Sequence, residues 1–173
     1  MGFTFAEINH QHLGPISFAV GEQGLCCVSF QPLGDLKNRS TFQDVEPSLK
    51  SFEGIKSVLK AMEGYFGRDT EENEIKIDWD GMSLFQKQVL EITKSIPFGS
   101  LMSYGDIARK LKKPGAARSV GRALGSNPMP ILIPCHRVVG SEGELRGYSG
   151  GINRKVYLLE FEGHRIEGDR VIL

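Results

Sequence analysis

The fold of this sequence is decided by the stretch Asn127-Pro-Met-Pro-Ile-Leu-Ile-Pro-Cys-His-Arg-Val-Val-Gly140. Its three prolines, between residues 128 and 134, exclude a helix because proline lacks an N–H donor and has a restricted φ. The apolar run 131–133 is then short and buried, and it leads to Cys135 and His136. A cysteine on such an extended, restricted backbone has the fixed position that a nucleophile needs. Taken alone, the Cys-His pair favours a structural cysteine beside a surface histidine, because a free cysteine behaves as a small hydrophobic residue.

Upstream of this stretch the sequence predicts two short helices joined by a tight turn. Ser103 and Asp106 have the spacing of a capping box, which opens a helix from Tyr104 to about Leu111. The turn 112–115 contains proline and glycine, and a second helix follows from Ala116 to about Leu124. This order is typical of a helix-turn-helix motif.

The second of these helices is predicted to carry basic side chains, and its small residues would let its backbone come close to another surface. Arg118 and Arg122 lie four residues apart and project away from a small apolar face, formed by Ala117, Val120, Gly121 and Leu124. Alanine and glycine, including Ala116 and Ala123, keep the helix thin. Between Gly105 and Gly125 there are six basic residues and one acidic residue. Such a cluster is typical of a protein that binds the phosphate backbone of nucleic acid.

Charge divides the chain of 173 residues into two halves of opposite sign. Residues 1–80 contain 7 Lys and Arg against 13 Asp and Glu, a formal charge of −6. Residues 81–173 contain 14 against 8, a formal charge of +6. We therefore predict two domains with these bounds, and the second is the one expected to face a polyanion.

The remaining elements are predicted from periodicity and turn residues. In the first half these are strands at 3–8, 14–20 and 24–30 with a hairpin at 21–24, a loop at 32–47, a helix at 47–66, a polar loop at 67–73 and an edge strand at 75–77. The helix is expected to bury one face, namely Leu49, Phe52, Ile55, Leu59 and Met62. In the second half, a helix capped by Ser83 buries Phe85, Val89, Ile92 and Ile96 and ends before Pro97. A last helix covers 153–161.

The three cysteines, Cys26, Cys27 and Cys135, are too few and too oddly spaced for a disulfide framework. No signal peptide, myristoylation pattern or membrane-length apolar run is found. His10, His12, Cys26 and Cys27 match no standard zinc spacing. We expect a soluble protein in the cytoplasm, or in the nucleus of a eukaryote, with reduced thiols.

Six motifs in order resemble the O6-alkylguanine-DNA alkyltransferases, the methylated-DNA–protein-cysteine methyltransferases, over roughly residues 83–165. They are Ser103-Tyr-Gly-Asp-Ile-Ala108, Ala116-Ala-Arg-Ser-Val-Gly121, Asn127-Pro128, Ile131-Leu-Ile-Pro-Cys-His-Arg-Val138, Gly147-Tyr-Ser-Gly-Gly151 and Leu158-Leu-Glu-Phe-Glu-Gly163. The resemblance implies an α/β (α+β) fold. An N-terminal ribonuclease-H-like sheet domain at 1–80 would precede a C-terminal helical domain at 81–173 with a winged-helix-like helix-turn-helix, which binds DNA and accepts the alkyl group.

The resemblance also implies roles for single residues. Cys135 would accept the alkyl group, and His136 would take its proton through a water molecule while Glu162 orients the histidine. Tyr104 would protonate the departing guanine, and Asn127 would tie the recognition helix to the active-site strand. DNA-binding roles fall to Arg118, which would fill the space of the extruded base, and to Arg122, Ala117 and Ser103. Contacts to the base fall to the carbonyl of Val138 and to Tyr148 and Ser149.

The implied function is direct repair of DNA, in which the alkyl group of O6-alkylguanine, and of O4-alkylthymine, moves irreversibly to the protein's own cysteine. The partner is double-stranded DNA; no cofactor, metal or membrane is required, and a monomer is expected. The alternative within the same fold is a lesion-sensing DNA-binding protein without transfer, which would lack the cysteine. A cysteine hydrolase would leave the basic helix unexplained, a zinc deaminase would need a second cysteine at position 138, and a transcription factor would leave Cys135 without a role.

Overall fold

A computed structural model of the protein describes residues 2–42, 48–68 and 75–173. The chain forms two compact units, Met1–Asp80 and Gly81–Leu173. Both units combine helices with short strands, so the fold belongs to the mixed α+β class. Within the described ranges no helix is both long and apolar enough to span a membrane.

The first unit is built on an antiparallel three-stranded sheet in the order β1-β2-β3. The strands are β1 (Thr4–His10), β2 (Gly14–Gly21) and β3 (Gly24–Ser29). Gly21 pairs with Gly24 across the hairpin, as the glycine spacing predicts. Gly24 has a φ of +133°, and a Cβ there would lie 2.4 Å from the carbonyl oxygen of Lys76, so only glycine fits.

One long helix, α2 (Leu49–Gly67), packs against this sheet. Ser48 caps it through a reciprocal hydrogen-bonded pair with Ser51. The predicted buried face is wrong at its start, because Leu49 is 86% and Phe52 51% exposed. The predicted burial of Ile55 and Met62 is confirmed, and Ser51, Val58 and Ala61 are buried with them. The first turn presents Ser51 inward, where it bonds to Thr4 of β1, so the apolar residues beside it turn outward.

The predicted loop at 32–47 is wrong over its first part. Residues Leu33–Lys37 form a helix, α1, and Ser40–Phe42 form a 3₁₀ turn. Leu36 and Phe42 are buried in a cluster with Ala19 and Cys27, and that burial favours helical structure where local sequence does not. Residues 43–47 and 69–74 lie outside the described part. They include the end of the loop predicted at 32–47, the first residue of the helix expected at 47–66 and most of the polar loop predicted at 67–73.

The edge strand predicted at 75–77 is reduced to a single bridge. Ile77 pairs in parallel with Leu25 of β3. The hydrogen bonds are Leu25 N–H to the Lys76 carbonyl, 2.8 Å, and Asp78 N–H to the Leu25 carbonyl, 2.9 Å. The predicted edge strand is therefore found at the expected position, but it is shorter than predicted.

The second unit contains four helices and two pairs of short strands. The helices are α3 (Leu84–Lys94), α4 (Tyr104–Lys110), α5 (Ala117–Gly125) and α6 (Ile152–Phe161). Parallel strands β4 (Met102–Ser103) and β5 (Val138–Val139) pair with each other. An antiparallel hairpin of β6 (Ile166–Glu167) and β7 (Arg170–Val171), absent from the sequence prediction, follows α6. Val171 is buried with Val139 and Leu159.

Helices α4 and α5 form the predicted pair, joined by residues 111–116. The capping box between Ser103 and Asp106 is present in both directions. On α5 the buried residues are Val120, Ala123 and Leu124, so Ala123 belongs to the core face and not to the thin outer face. Arg118 and Arg122 are exposed.

The proline-rich stretch does not deliver Cys135 on an extended strand, which corrects the sequence prediction. Cys135–Arg137 forms one turn of 3₁₀ helix, called here the cysteine turn. The apolar run before it reverses direction at Ile131, which has a φ of +71°, a left-handed conformation that a β-branched residue rarely adopts. The prolines do exclude an α-helix, as expected, but a single tight turn remains compatible with them.

Candidate active site

Cys135 opens the cysteine turn and is 5% exposed. Its Sγ accepts a hydrogen bond from Asn127 Nδ2 at 3.1 Å. The same amide donates to the carbonyl of Ile133 at 3.0 Å, and Asn127 Oδ1 accepts from Met129 N–H at 3.0 Å. Asn127 N–H donates to the carbonyl of Leu124 in α5. Asn127 therefore links the helix carrying the basic residues directly to the sulfur atom.

His136 and Glu162 form a buried pair beside the thiol. His136 Nε2 lies 2.8 Å from Glu162 Oε1, and both side chains are fully enclosed. Glu162 sits at the C-terminal end of α6 and also accepts from Gly99 N–H at 3.1 Å. The bond between His136 Nε2 and Glu162 orients the imidazole ring, so that Nδ1 is the nitrogen turned away from the carboxylate. A histidine that takes a proton from a thiol needs one ring nitrogen left available in this way.

Arg137 completes this arrangement and was not identified from the sequence. Its Nε lies 2.9 Å from Glu162 Oε2 and its Nη2 lies 2.9 Å from Glu162 Oε1. Its Nη1 donates to the carbonyl of Ile96, and its guanidinium lies 5.8 Å from the ring centroid of Phe98. A buried carboxylate needs such a partner, since an uncompensated buried charge is strongly destabilising.

The protonation states follow from burial and these partners. Burial raises the pKa of the Cys135 thiol above its usual value, and the hydrogen bond from Asn127 only partly opposes it. Burial lowers the pKa of His136 in spite of Glu162. Burial alone would raise the pKa of Glu162, but hydrogen bonds from His136 and Arg137 outweigh it and hold that pKa at about 2. At rest the site holds a neutral thiol, a neutral imidazole and a carboxylate, the state from which a proton can pass from sulfur to nitrogen.

Two tyrosines lie close to the sulfur. Burial, followed by the charge of Cys135, raises the pKa of Tyr104 above its usual value, which keeps its proton available at neutral pH. The hydroxyl of Tyr148 lies close enough to Cys135 to lower the pKa of the thiol. The ring of Tyr104 also lies against α5, where a Cβ on Gly121 would be 3.8 Å from it.

The other residues singled out in the sequence are placed as follows. Ala117 is half-buried at the start of α5, and Ser149 is exposed in the loop before α6. Ser103 uses its hydroxyl within the capping box, accepting from Asp106 N–H at 3.1 Å. The carbonyl of Val138 accepts from Lys155 Nζ at 2.7 Å, and the carbonyl of Cys135 accepts from Val138 N–H.

Sequence reasoning missed Arg137 and Lys155. A basic residue that directly precedes an apolar run is the available signal, and both have it. Arg137 precedes Val138-Val139, and Lys155 precedes Val156-Tyr-Leu-Leu159. Cys26 and Cys27 belong to the first unit, where burial raises the pKa of Cys26 to about 12. Within residues 2–42, 48–68 and 75–173 no group of three or more His, Cys, Asp or Glu is arranged to hold a metal ion.

The unit with the basic helix thus carries a buried cysteine, followed by a histidine that is bonded to a carboxylate. The sequence profile described as 6-O-methylguanine DNA methyltransferase, DNA binding domain, matches residues 84–164. A methylated-DNA–protein-cysteine methyltransferase of Methanosarcina acetivorans is 35% identical over 151 residues, which are 87% of this chain and 93% of the relative. One of the same name from Mycobacterium bovis is 45% identical over 123 residues, 71% of this chain and 72% of the relative.

Solved structures agree over nearly the whole chain. The crystal structure of Mycobacterium tuberculosis O6-methylguanine methyltransferase has a TM-score of 0.74 at 34% identity and covers 92% of both chains. The crystal structure of Mycobacterium tuberculosis OGT in complex with DNA has a TM-score of 0.74 at 35% identity and covers 91% of both. The chain belongs to the methylated-DNA–protein-cysteine methyltransferase family.

Proposed function

We propose that this protein repairs DNA by transferring the alkyl group from O6 of an alkylated guanine to Cys135, once per molecule. The observation that carries the proposal is the hydrogen-bonded chain around the thiol, with Asn127 on the sulfur and the His136–Glu162 pair beside it. The names of the relatives, and the complex of one of them with DNA, support the same activity. The lesion-sensing alternative is not favoured, because the chain retains the cysteine.

The reaction is a displacement at carbon. His136 takes the thiol proton, directly or through a water molecule, and the sulfur then forms a bond to the alkyl carbon as the bond from that carbon to O6 breaks. The guanine leaves with the electron pair of that bond. Tyr104, whose hydroxyl is still protonated at neutral pH before the reaction, then protonates the guanine. Tyr104 regains a proton from His136 by way of solvent. The product thioether is not displaced by water, so one molecule repairs one lesion.

Access to the alkyl group requires that the base leaves the duplex. Helix α5 is suited to this step, since Arg118 and Arg122 are exposed on it and its N-cap residue, Ala116, has no side chain that could occupy the first amide groups. Exposed backbone amides at a helix start favour phosphate. We assign Arg118 to the space that the extruded base leaves in the duplex. Contacts to the DNA backbone are assigned to Arg122, Ala117 and Ser103. Contacts to the extruded base are assigned to Val138, Tyr148 and Ser149.

The finer architecture belongs to the same proposal. The antiparallel sheet followed by α2 supports a ribonuclease-H-like first domain at 1–80, and α4 and α5 with the short strands support a winged-helix-like second domain at 81–173. O4-alkylthymine fits the same displacement chemistry as a second substrate, and a monomer is sufficient for it.

The test is transfer of label. Duplex DNA carrying O6-[³H]methylguanine is mixed with the full-length protein, and we expect label on the protein in a 1:1 ratio, located in the peptide that contains Cys135. DNA labelled on the methyl group of thymine serves as the control. Stable binding of the lesion with all label left on the DNA would assign the chain to the lesion-sensing class instead.

Replacing Arg118 separates base extrusion from chemistry. We expect Arg118→Ala to slow repair of duplex DNA roughly tenfold or more, since unstacking a base costs a few kcal/mol, while reaction with free O6-benzylguanine changes little. Single-turnover rates at saturating protein give both values. Arg122→Ala, the same charge change one helical turn away, should weaken binding without this difference at saturation. Equal slowing on both substrates by Arg118→Ala would exclude the assignment.

DNA affinity should depend steeply on salt and reside in the second unit. Each neutralised phosphate releases counterions, so removing one contact lowers the slope of log affinity against log salt by about 1. We expect this for Arg122→Ala and no change for Lys60→Ala, an exposed cation on α2 of the acidic unit. Fluorescence anisotropy with unmodified duplex across a salt series provides the slopes; equal slopes for the two variants would contradict the localisation.

A further inference from the structure

The buried charges of the second unit do not balance. Among the residues that the structure describes, the buried side chains of Lys, Arg, Asp and Glu are Arg137, Lys155 and Glu162, which are 7%, 1% and 7% exposed. Two cations therefore accompany one anion. The Glu162 carboxylate is engaged by Arg137 through both oxygens. In the described part of the chain no ion pair includes Lys155.

Lys155 is held next to the cysteine turn. It lies in α6, and its Nζ donates to the carbonyl of Val138 at 2.7 Å. Val138 directly follows the cysteine turn, and its own N–H donates to the carbonyl of Cys135. A neutral carbonyl satisfies one of the three ammonium donors but does not compensate its charge. Burial lowers the pKa of Lys155 to about 8, and the charge of Cys135 acts in the opposite direction.

The groups that titrate around this ammonium lie on the cysteine turn and the elements that meet it. Its charge lowers the pKa of both Cys135 and His136. Glu162 contacts the imidazole and Arg137, and Tyr104 and Tyr148 interact with Cys135. Of these, Cys135 is the group whose ionisation supplies an anion to the unbalanced cluster.

We propose that Lys155 is the buried counter-cation of the Cys135 thiolate, a positioning residue that favours ionised sulfur without touching the DNA base. The proposal rests on the proposed function in taking the thiolate as the reactive species. Transfer of the thiol proton to His136 creates a negative sulfur and a positive ring; Glu162 stabilises the ring, and Lys155 stabilises the sulfur. An opposite charge nearby lowers an acid's pKa by roughly 1–3 units in protein interiors.

Three substitutions at one position separate charge from hydrogen bonding and packing. Lys155→Met removes the charge and keeps the length; a neutral replacement of a buried charge is often tolerated. Lys155→Gln is neutral but keeps a donor for the Val138 carbonyl, and Lys155→Arg keeps the charge. Arg154→Met is the matched control: it removes the neighbouring cation of α6, which donates to the carbonyl of Gly150 and is not in the buried cluster.

The readout is the pH dependence of Cys135 carboxamidomethylation by iodoacetamide, followed by mass spectrometry of its peptide. In wild type we expect a broad profile, because the thiol and ammonium titrate as a coupled pair. Lys155→Met and Lys155→Gln should move the midpoint to higher pH by roughly one unit or more, slowing the reaction about tenfold or more at pH 7 and converging with wild type at high pH. Lys155→Arg should restore most of the rate, and Arg154→Met should match wild type.

A purely structural role would lower the rate at every pH with the midpoint unchanged, and a wild-type midpoint in Lys155→Gln would show that charge is not the cause; either result overturns the proposal. The coupling is also reciprocal. Cys135→Ser should therefore lower the pKa of the Lys155 ammonium below its wild-type value, as measured by the ¹³Cε shift, and an identical pKa would count equally against it. The iodoacetamide reaction and the ¹³C shift involve no DNA. They therefore test the role of Lys155 separately from the proposed repair function, which label transfer from O6-methylguanine tests.

Discussion

Cys135→Ser abolishes transfer of the methyl group and leaves DNA binding intact: this is the largest effect we expect from a single substitution. A serine hydroxyl at this site remains protonated beside a histidine whose pKa is lowered by burial, and it is a much weaker nucleophile than a thiolate. The exposed cations of α5 are not affected. Label transfer from duplex O6-methylguanine and anisotropy with the same duplex measure the two properties.

The other two thiols provide the control. Cys27 is buried and the pKa of Cys26 is raised to about 12 by burial, so neither is a ready nucleophile. We expect Cys26→Ser and Cys27→Ser to transfer label at the wild-type rate. Label recovered on either cysteine in the Cys135→Ser protein would refute the assignment of the acceptor.

Glu162→Gln is the second substitution with a large expected effect, and it acts on stability as well as on rate. Removing the carboxylate leaves Arg137 as a buried cation without a partner and removes the group that stabilises the imidazolium of His136. Breaking a buried ion pair on one side costs about 3–5 kcal/mol. We expect that loss in urea unfolding at pH 7, together with slower methyl transfer by the folded variant.

The pH dependence has a definite sign. The pKa of Glu162 is held at about 2, below its usual 4.5, so the unfolded chain binds the proton first as the pH falls. The stability that the Glu162 carboxylate contributes is fully present above about pH 4.5, and it disappears as the pH falls through about 2. The stability gap between wild type and Glu162→Gln should therefore close across this window.

Glu160→Gln is the matched control, since Glu160 is exposed on the same helix two residues earlier. It should change stability by a few tenths of a kcal/mol at most. A pH-independent gap for Glu162→Gln, or an equal loss for Glu160→Gln, would show that the buried pair is not the source of the stability.

Local interactions explain what could be predicted. The capping box of Ser103 and Asp106, the hairpin between Gly21 and Gly24 and the helix of the basic residues all depend on partners a few residues apart. Their positions could be read from spacing alone. The residues proposed as nucleophile, base and orienting carboxylate were also named from the sequence, through a resemblance carried by six motifs, and the structure brings His136 and Glu162 together.

The errors lie where distant contacts compete with local preference. Leu36 and Phe42 take helical structure because a cluster with Ala19 and Cys27 buries them. Cys135 lies on a 3₁₀ turn and not on a strand, and this turn is held by bonds from His136 and Arg137 to Glu162, 26 and 25 residues away. Neither outcome is visible in periodicity.

The sequence by itself determined which groups are available and in what order: a cysteine after proline, a basic helix, and a carboxylate at the end of the last helix. Only the tertiary structure decided which charges meet. Glu162 meets Arg137 across 25 residues and Lys155 meets Val138 across 17. Such pairings form because a charge removed from water must find a partner in whatever the packed chain places beside it, and that neighbour is set by the whole fold of the unit.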